Sequence, residues 1–134
     1  MATIKNSYQG QLRTAATHLR SGNEIITDAP VDNQGKGEAF SPTDLVAGAL
    51  SACMMTIMGI KAQQYDFDLD GLESEVTKLM ADKPRKISEI IINFTWPNCP
   101  ASDEQRAIIK RAAMTCPVAL SLHPDVKQTV TFDF

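Results

Sequence analysis

Two cysteine patterns are missing from this chain. Its three cysteines, Cys53, Cys99 and Cys116, make neither an even set for a disulfide framework nor a C-x-x-C motif. The opening "MATIKNSYQG" has no basic stretch running into an apolar one. No secretory signal is therefore expected, and the thiols are expected to be reduced in a cytoplasmic protein. An excess of positive charge is missing too. Thirteen Lys and Arg against sixteen Asp and Glu give a net charge of −3. That balance supplies no electrostatic footprint for nucleic acid or an anionic membrane. The longest uncharged stretch, from Leu45 to Ile60 between Asp44 and Lys61, holds sixteen residues. A spanning helix needs roughly 20, so a buried helix is expected and no membrane partner. No repeat, low-complexity tract or linker divides the 134 residues, and one domain over 1–134 is expected. No two of the cysteines, His18 and His123 stand at the close spacing of structural zinc ligands. Neither a metal nor another cofactor is expected, and the two histidines read as surface residues at turns.

What is present has clear local order. Residues 2 to 16 read as a strand or the start of a hairpin, and "SGNEIITDAP" as a turn, a short strand and a proline stop. "VDNQGKGEAF" is a loop by its Gly, Asn and Asp content. It leads into "SPTDLVAGALSACMMTIMGI", where Ser41 is placed as the N-cap, Pro42 as the first helical residue and Asp44 as the partner of the cap. This helix is predicted to run to about Gln64. Between Leu45 and Ile60 only Ser51 and Thr56 carry polar side chains, so the helix has no solvated face. One small sheet covers one side of such a helix, and a homodimer is expected to cover the rest.

After Gly71 the period becomes two, with Leu72, Ser74, Val76, Lys78 and Met80 on one face. "DKPRK" is a turn, and Ile90, Ile92, Phe94 and Trp96 line the next strand. Ser102 with Gln105 forms a second capping box, opening a helix with Ile108, Ile109, Ala112 and Ala113 inward. A short helix follows Pro117, and Val130, Phe132 and Phe134 share one face of a last strand. The predicted class is α+β, an antiparallel sheet packed on a long central helix.

The thiols sit at the informative points. Cys53 lies mid-helix, where a free cysteine also serves as a small buried hydrophobe. Cys116 immediately precedes Pro117, so its thiol falls at a helix start, where unpaired N–H groups favour a thiolate. The two are 63 residues apart in sequence, a spacing that says nothing of their distance in space. Together they have the makings of a reactive cysteine and a resolving partner. Cys99, between Pro97 and Pro100, reads as incidental. Met54, Met55, Met58 and Met114 read as core filler before a deformable pocket lining.

"SPTDLVAGALSACM" followed by "CPVALSL" resembles the OsmC/Ohr superfamily of osmotically induced and organic-hydroperoxide-resistance proteins, and the resemblance runs nearly the length of the chain, "TDAP" and the closing strand included. It is closest to the OsmC-like branch. The resemblance implies an OsmC-like fold and an intertwined homodimer. It implies a thiol-dependent peroxidase that reduces organic hydroperoxides and is regenerated by an external dithiol. Cys53 matches the peroxidatic cysteine and Cys116 the resolving one. An arginine beside the reactive thiol is implied as well, with Arg13 preferred to Arg20. One departure stands out. The peroxidases carry Pro-Glu at the helix entry, and that Glu holds the arginine; here Thr43 follows Pro42 and the acid, Asp44, comes one place later. The alternative function is a non-catalytic dimer that keeps the fold, responding to redox state or binding a small apolar ligand.

Overall fold

A computed structural model describes all 134 residues. The chain forms two compact units, Met1–Val46 and Ala47–Phe134. In the first, β1 (Ile4–Gly10) and β2 (Arg13–His18) make a hairpin, and β3 (Glu24–Asp28) adds antiparallel to β2. The hairpin turns through Gly10, Gln11 and Leu12, all at positive φ (85°, 54° and 62°). The register sets Arg13 opposite Asp28. Beyond β3 the loop folds tightly enough that a Cβ on Gly35 would lie 1.7 Å from the Ala29 carbonyl oxygen. Only glycine fits there. The buried residues of this unit are Thr27, Asp28 and Ser41, and no apolar side chain among its 46 residues is buried.

The helix α1 (Pro42–Gln64) begins as its sequence requires. Asp44 N–H donates to Ser41 Oγ and Ser41 N–H donates to the Asp44 carboxylate, both at 3.0 Å. The helix is 23 residues long, and an 18-residue window has mean hydropathy 1.7. By length and composition it could cross a membrane, a property that the sixteen-residue uncharged stretch understates because the flanking helical turns count towards the span. Its stripe of Ala47, Leu50, Met54, Met58 and Ala62 lies in the core, and Ser51 shares a 2.6 Å hydrogen bond with Ser74 on the sheet. Met54 and Met58 are thus core filler, whereas Met114 is half exposed at the end of α2 (Asp103–Ala113).

The second sheet runs β4 (Glu73–Ala81), β5 (Lys86–Thr95), β6 (Lys127–Asp133), with β5 in the middle. Ile90, Ile92, Phe94 and Trp96 point into the core as their alternation predicts. Each fully buried side chain of this size contributes about 1.5–3 kcal/mol. The α+β class is as expected, but the sheet is mixed: β4 and β5 are antiparallel, whereas β6 runs parallel to β5. The cause lies in the connection. α2 and α3 (Pro117–Ser121) occupy the crossover, long enough to carry the chain back and lay β6 in the direction of β5. Periodicity reports which side chains share a face and is silent on strand direction.

Candidate functional site

The crossover that reverses the chain also sets Cys116. The capping box of Ser102 and Gln105 starts α2, whose Ile109 and Ala113 are fully buried and hold it on the core. The chain then leaves α2, takes an extended conformation at Cys116 (φ −69°, ψ 143°), and Pro117 opens α3. Cys116 is fully buried, and its sulfur accepts the Ala119 N–H at 3.3 Å. Cys53 is half-buried on α1 and packs against the same core. The two thiols belong to one apolar cluster, near enough for Cys53 to perturb Cys116, and both are free. A mid-helix position and a helix junction distant in sequence therefore converge.

Burial pushes the Cys116 thiol up, against the pull of the Ala119 and Val118 N–H groups, and the neighbouring Cys53 raises it further. The expectation of a thiolate at Cys116 from its helix start is thereby corrected. Desolvation of a buried sulfur outweighs the donors of a single short turn. Burial thus favours the thiol form of Cys116.

Arg13 lies in the other unit, at the start of β2. Its Nε and Nη2 donate to the two Asp28 oxygens, each at 2.7 Å, and Nη2 also reaches Glu38 at 3.5 Å. The Glu38 backbone N–H donates to Asp28 at 3.1 Å. Asp28 is 1% exposed, and the hydrogen bonds from Arg13 hold its carboxyl below the usual carboxylate range despite burial. The same bonds raise Arg13. Arg20, the other candidate, is exposed in the turn after β2. The residues that hold the guanidinium, Asp28 and Glu38, escaped the sequence reading. Asp28 is the acid of "TDAP", set opposite Arg13 only by strand register. Asp44 caps α1.

Cys99 enters through its backbone: its carbonyl accepts from Arg106 at 3.3 Å, which pins the proline-bounded loop to α2. His18 and His123 are exposed and bonded locally, to Ser21 Oγ at 2.6 Å and to the Asp125 N–H at 3.0 Å. No three His, Cys, Asp or Glu side chains converge as a metal site would require.

A cavity of about 500 Å³ lies between α1 and α2, lined by Ile57 and Ile60 of the one and Ile108 and Ala112 of the other; neither Cys53 nor Cys116 is part of its wall. Two free thiols in one cluster can interconvert with a disulfide.

No relative is found among the curated proteins. Among solved structures, a Psychrobacter arcticus protein named for an osmotic-stress-induced detoxification response is 57% identical, with a TM-score of 0.93, over 98% of this chain and 96% of that one. The organic hydroperoxide resistance protein OsmC of Legionella pneumophila shares the fold at 17% identity and a TM-score of 0.72, over 100% and 98% of the two chains. The organic hydroperoxide resistance protein of Bacillus subtilis does so at 17% and 0.66, over 98% of each. A family model described as OsmC-like protein matches residues 35–131, a span that holds both cysteines and the helices that bring them together. The chain belongs to the OsmC-like family.

Proposed function

We propose that this chain is a thiol peroxidase that reduces organic hydroperoxides, with Cys53 as nucleophile, Cys116 as resolving cysteine and Arg13 as the cation of the site. The observation that carries this reading is the convergence of two free thiols, Cys53 and Cys116, in one apolar cluster. In the first step the Cys53 thiolate attacks the outer oxygen of the hydroperoxide. An S–O bond forms, the O–O bond breaks, and the alkoxide leaves as an alcohol after taking a proton. Cys53 is then a sulfenic acid. The Cys116 thiol displaces its oxygen as water, forming the disulfide, and an external dithiol returns two electrons and two protons.

Magnitudes decide what the protein must add. A thiol of ordinary pKa ~8.5 is already roughly a tenth ionised near pH 7.5, so full ionisation gains about 1.4 kcal/mol. Enzymes lower barriers by ~8 kcal/mol or more. Stabilising the departing alkoxide is the larger need, and a guanidinium fits it. Asp28 and Glu38 occupy Nε and Nη2 of Arg13. They fix its plane and leave the Nη1 hydrogens to donate. Asp28 thereby takes the part that the Glu of Pro-Glu plays in the peroxidases. The proposal includes a single OsmC-like domain, a homodimer and a cytoplasmic setting.

Turnover of cumene hydroperoxide with dithiothreitol tests it. Cys53→Ser is expected to fall to background. Cys116→Ser is expected to consume one equivalent without a disulfide, and Arg13→Ala to lose about 100-fold or more in kcat. Wild-type turnover in Cys53→Ser would overturn the reading.

A further inference from the structure

The cavity between α1 and α2 has a charge pattern that the peroxidase reading does not use. Ile57 and Ile60 on α1 and Ile108 on α2 supply apolar wall, and Lys61 and Arg111 are the charged side chains among its lining. No acidic side chain lines it, in a chain with more acids than bases. Neither Lys61 nor Arg111 takes part in any of the ion pairs formed elsewhere, such as Arg13 with Asp28 or Lys86 with Asp125. Both stand in the last turns of their helices, where a cation complements the dipole. That effect explains one cation per helix end, and α2 already has Lys110, which is bound to the Phe134 carbonyl oxygen. It leaves Arg111 unaccounted for, on a cavity that already carries Lys61. The cavity, about 500 Å³, is within the range of small-molecule sites, roughly 300–1,000 Å³.

We infer that this cavity binds an amphipathic monocarboxylate. Its apolar body lies on Ile57, Ile60 and Ile108, and its carboxylate pairs with Lys61 and Arg111, the latter able to bind it through two parallel N–H bonds. Along α1, Lys61 is eight residues from Cys53, about 12 Å at 1.5 Å per residue. The head group therefore sits away from Cys53. The site needs no thiol chemistry, so it stands or falls independently of the proposed peroxidase.

Calorimetric titration with octanoate and with 1-octanol, on the reduced full chain, tests the inference. Octanoate is expected to bind saturably, about tenfold tighter than the alcohol, since two partly screened ion pairs each contribute a few-fold. Methyl NMR signals of Ile57 and Ile108 are expected to shift. Lys61→Gln with Arg111→Gln removes the preference, Lys61→Arg with Arg111→Lys keeps it, and Cys53→Ser leaves both affinities unchanged. Equal affinity for acid and alcohol overturns the inference, as does a preference that survives in the neutral variant. Absence of saturable binding overturns it too; if Ile57 and Ile108 are then shielded from solvent in a dimer, the occupant is a second copy of the chain.

Discussion

Asp28 is a carboxylate kept charged out of contact with water, which is tolerable because three N–H donors converge on it. Its pKa lies below the ordinary value of 3.8 in the folded chain. The unfolded chain therefore binds more protons as the pH falls, and the stability due to Asp28 follows from that sign. It is complete above pH 3.8 and is lost as the pH drops through the lowered folded value. Urea unfolding of wild type and Asp28→Asn from pH 7 to pH 2 is expected to show a gap at neutral pH that closes at the acid end. A gap independent of pH would mean that the side chain acts by shape alone. The arginine was legible in the sequence as one of two choices, but its partner was not. Opposite charges fifteen residues apart become neighbours only through strand register, which no local pattern in "TDAP" reveals. At Cys116 the helix start was legible and its consequence was not, because the sign of the shift depends on burial.

Among elements, the thiol contact depends on α2 being anchored, since α2 delivers the chain to Cys116. Two substitutions separate its local and tertiary supports. Ser102→Ala removes the reciprocal cap at the exposed start of the helix and is expected to cost about 1 kcal/mol. Ile109→Ala opens a cavity beneath a fully buried side chain and is expected to cost about 2–5 kcal/mol. Denaturant unfolding measures both. The Ile109 variant is also expected to form the Cys53–Cys116 disulfide more slowly after a pulse of hydroperoxide, whereas the cap variant keeps the wild-type rate. The reverse order would place the anchoring of Cys116 elsewhere. Both capping boxes were legible because they are written in four consecutive residues. The parallel pairing of β6 was not, for it arises from a crossover of two helices and leaves no mark on the alternation of Val130, Phe132 and Phe134.

For the whole molecule, the decisive fact is that no apolar residue of Met1–Val46 is buried. A three-stranded sheet needs an apolar face covered to persist in water. Yet Ile25, Ile26 and Phe40 are exposed by 44%, 46% and 66%, and α1 leaves Val46 uncovered. The homodimer proposed above supplies the cover, and the sequence had asked for it through that same helix. Sedimentation equilibrium at micromolar concentration is expected to give twice the chain mass of 14.6 kDa. Phe40→Asp then separates an interface residue from a solvated one. In a dimer that buries Phe40, the charge costs about 2 kcal/mol or more of association, roughly 30-fold in the dissociation constant. On a surface that stays wet, the same change is worth less than about 0.5 kcal/mol and leaves the mass unaltered. A monomeric wild type, or a Phe40→Asp variant that associates as tightly as wild type, would remove the second copy from the fold and leave the apolar face of the first unit without an occupant.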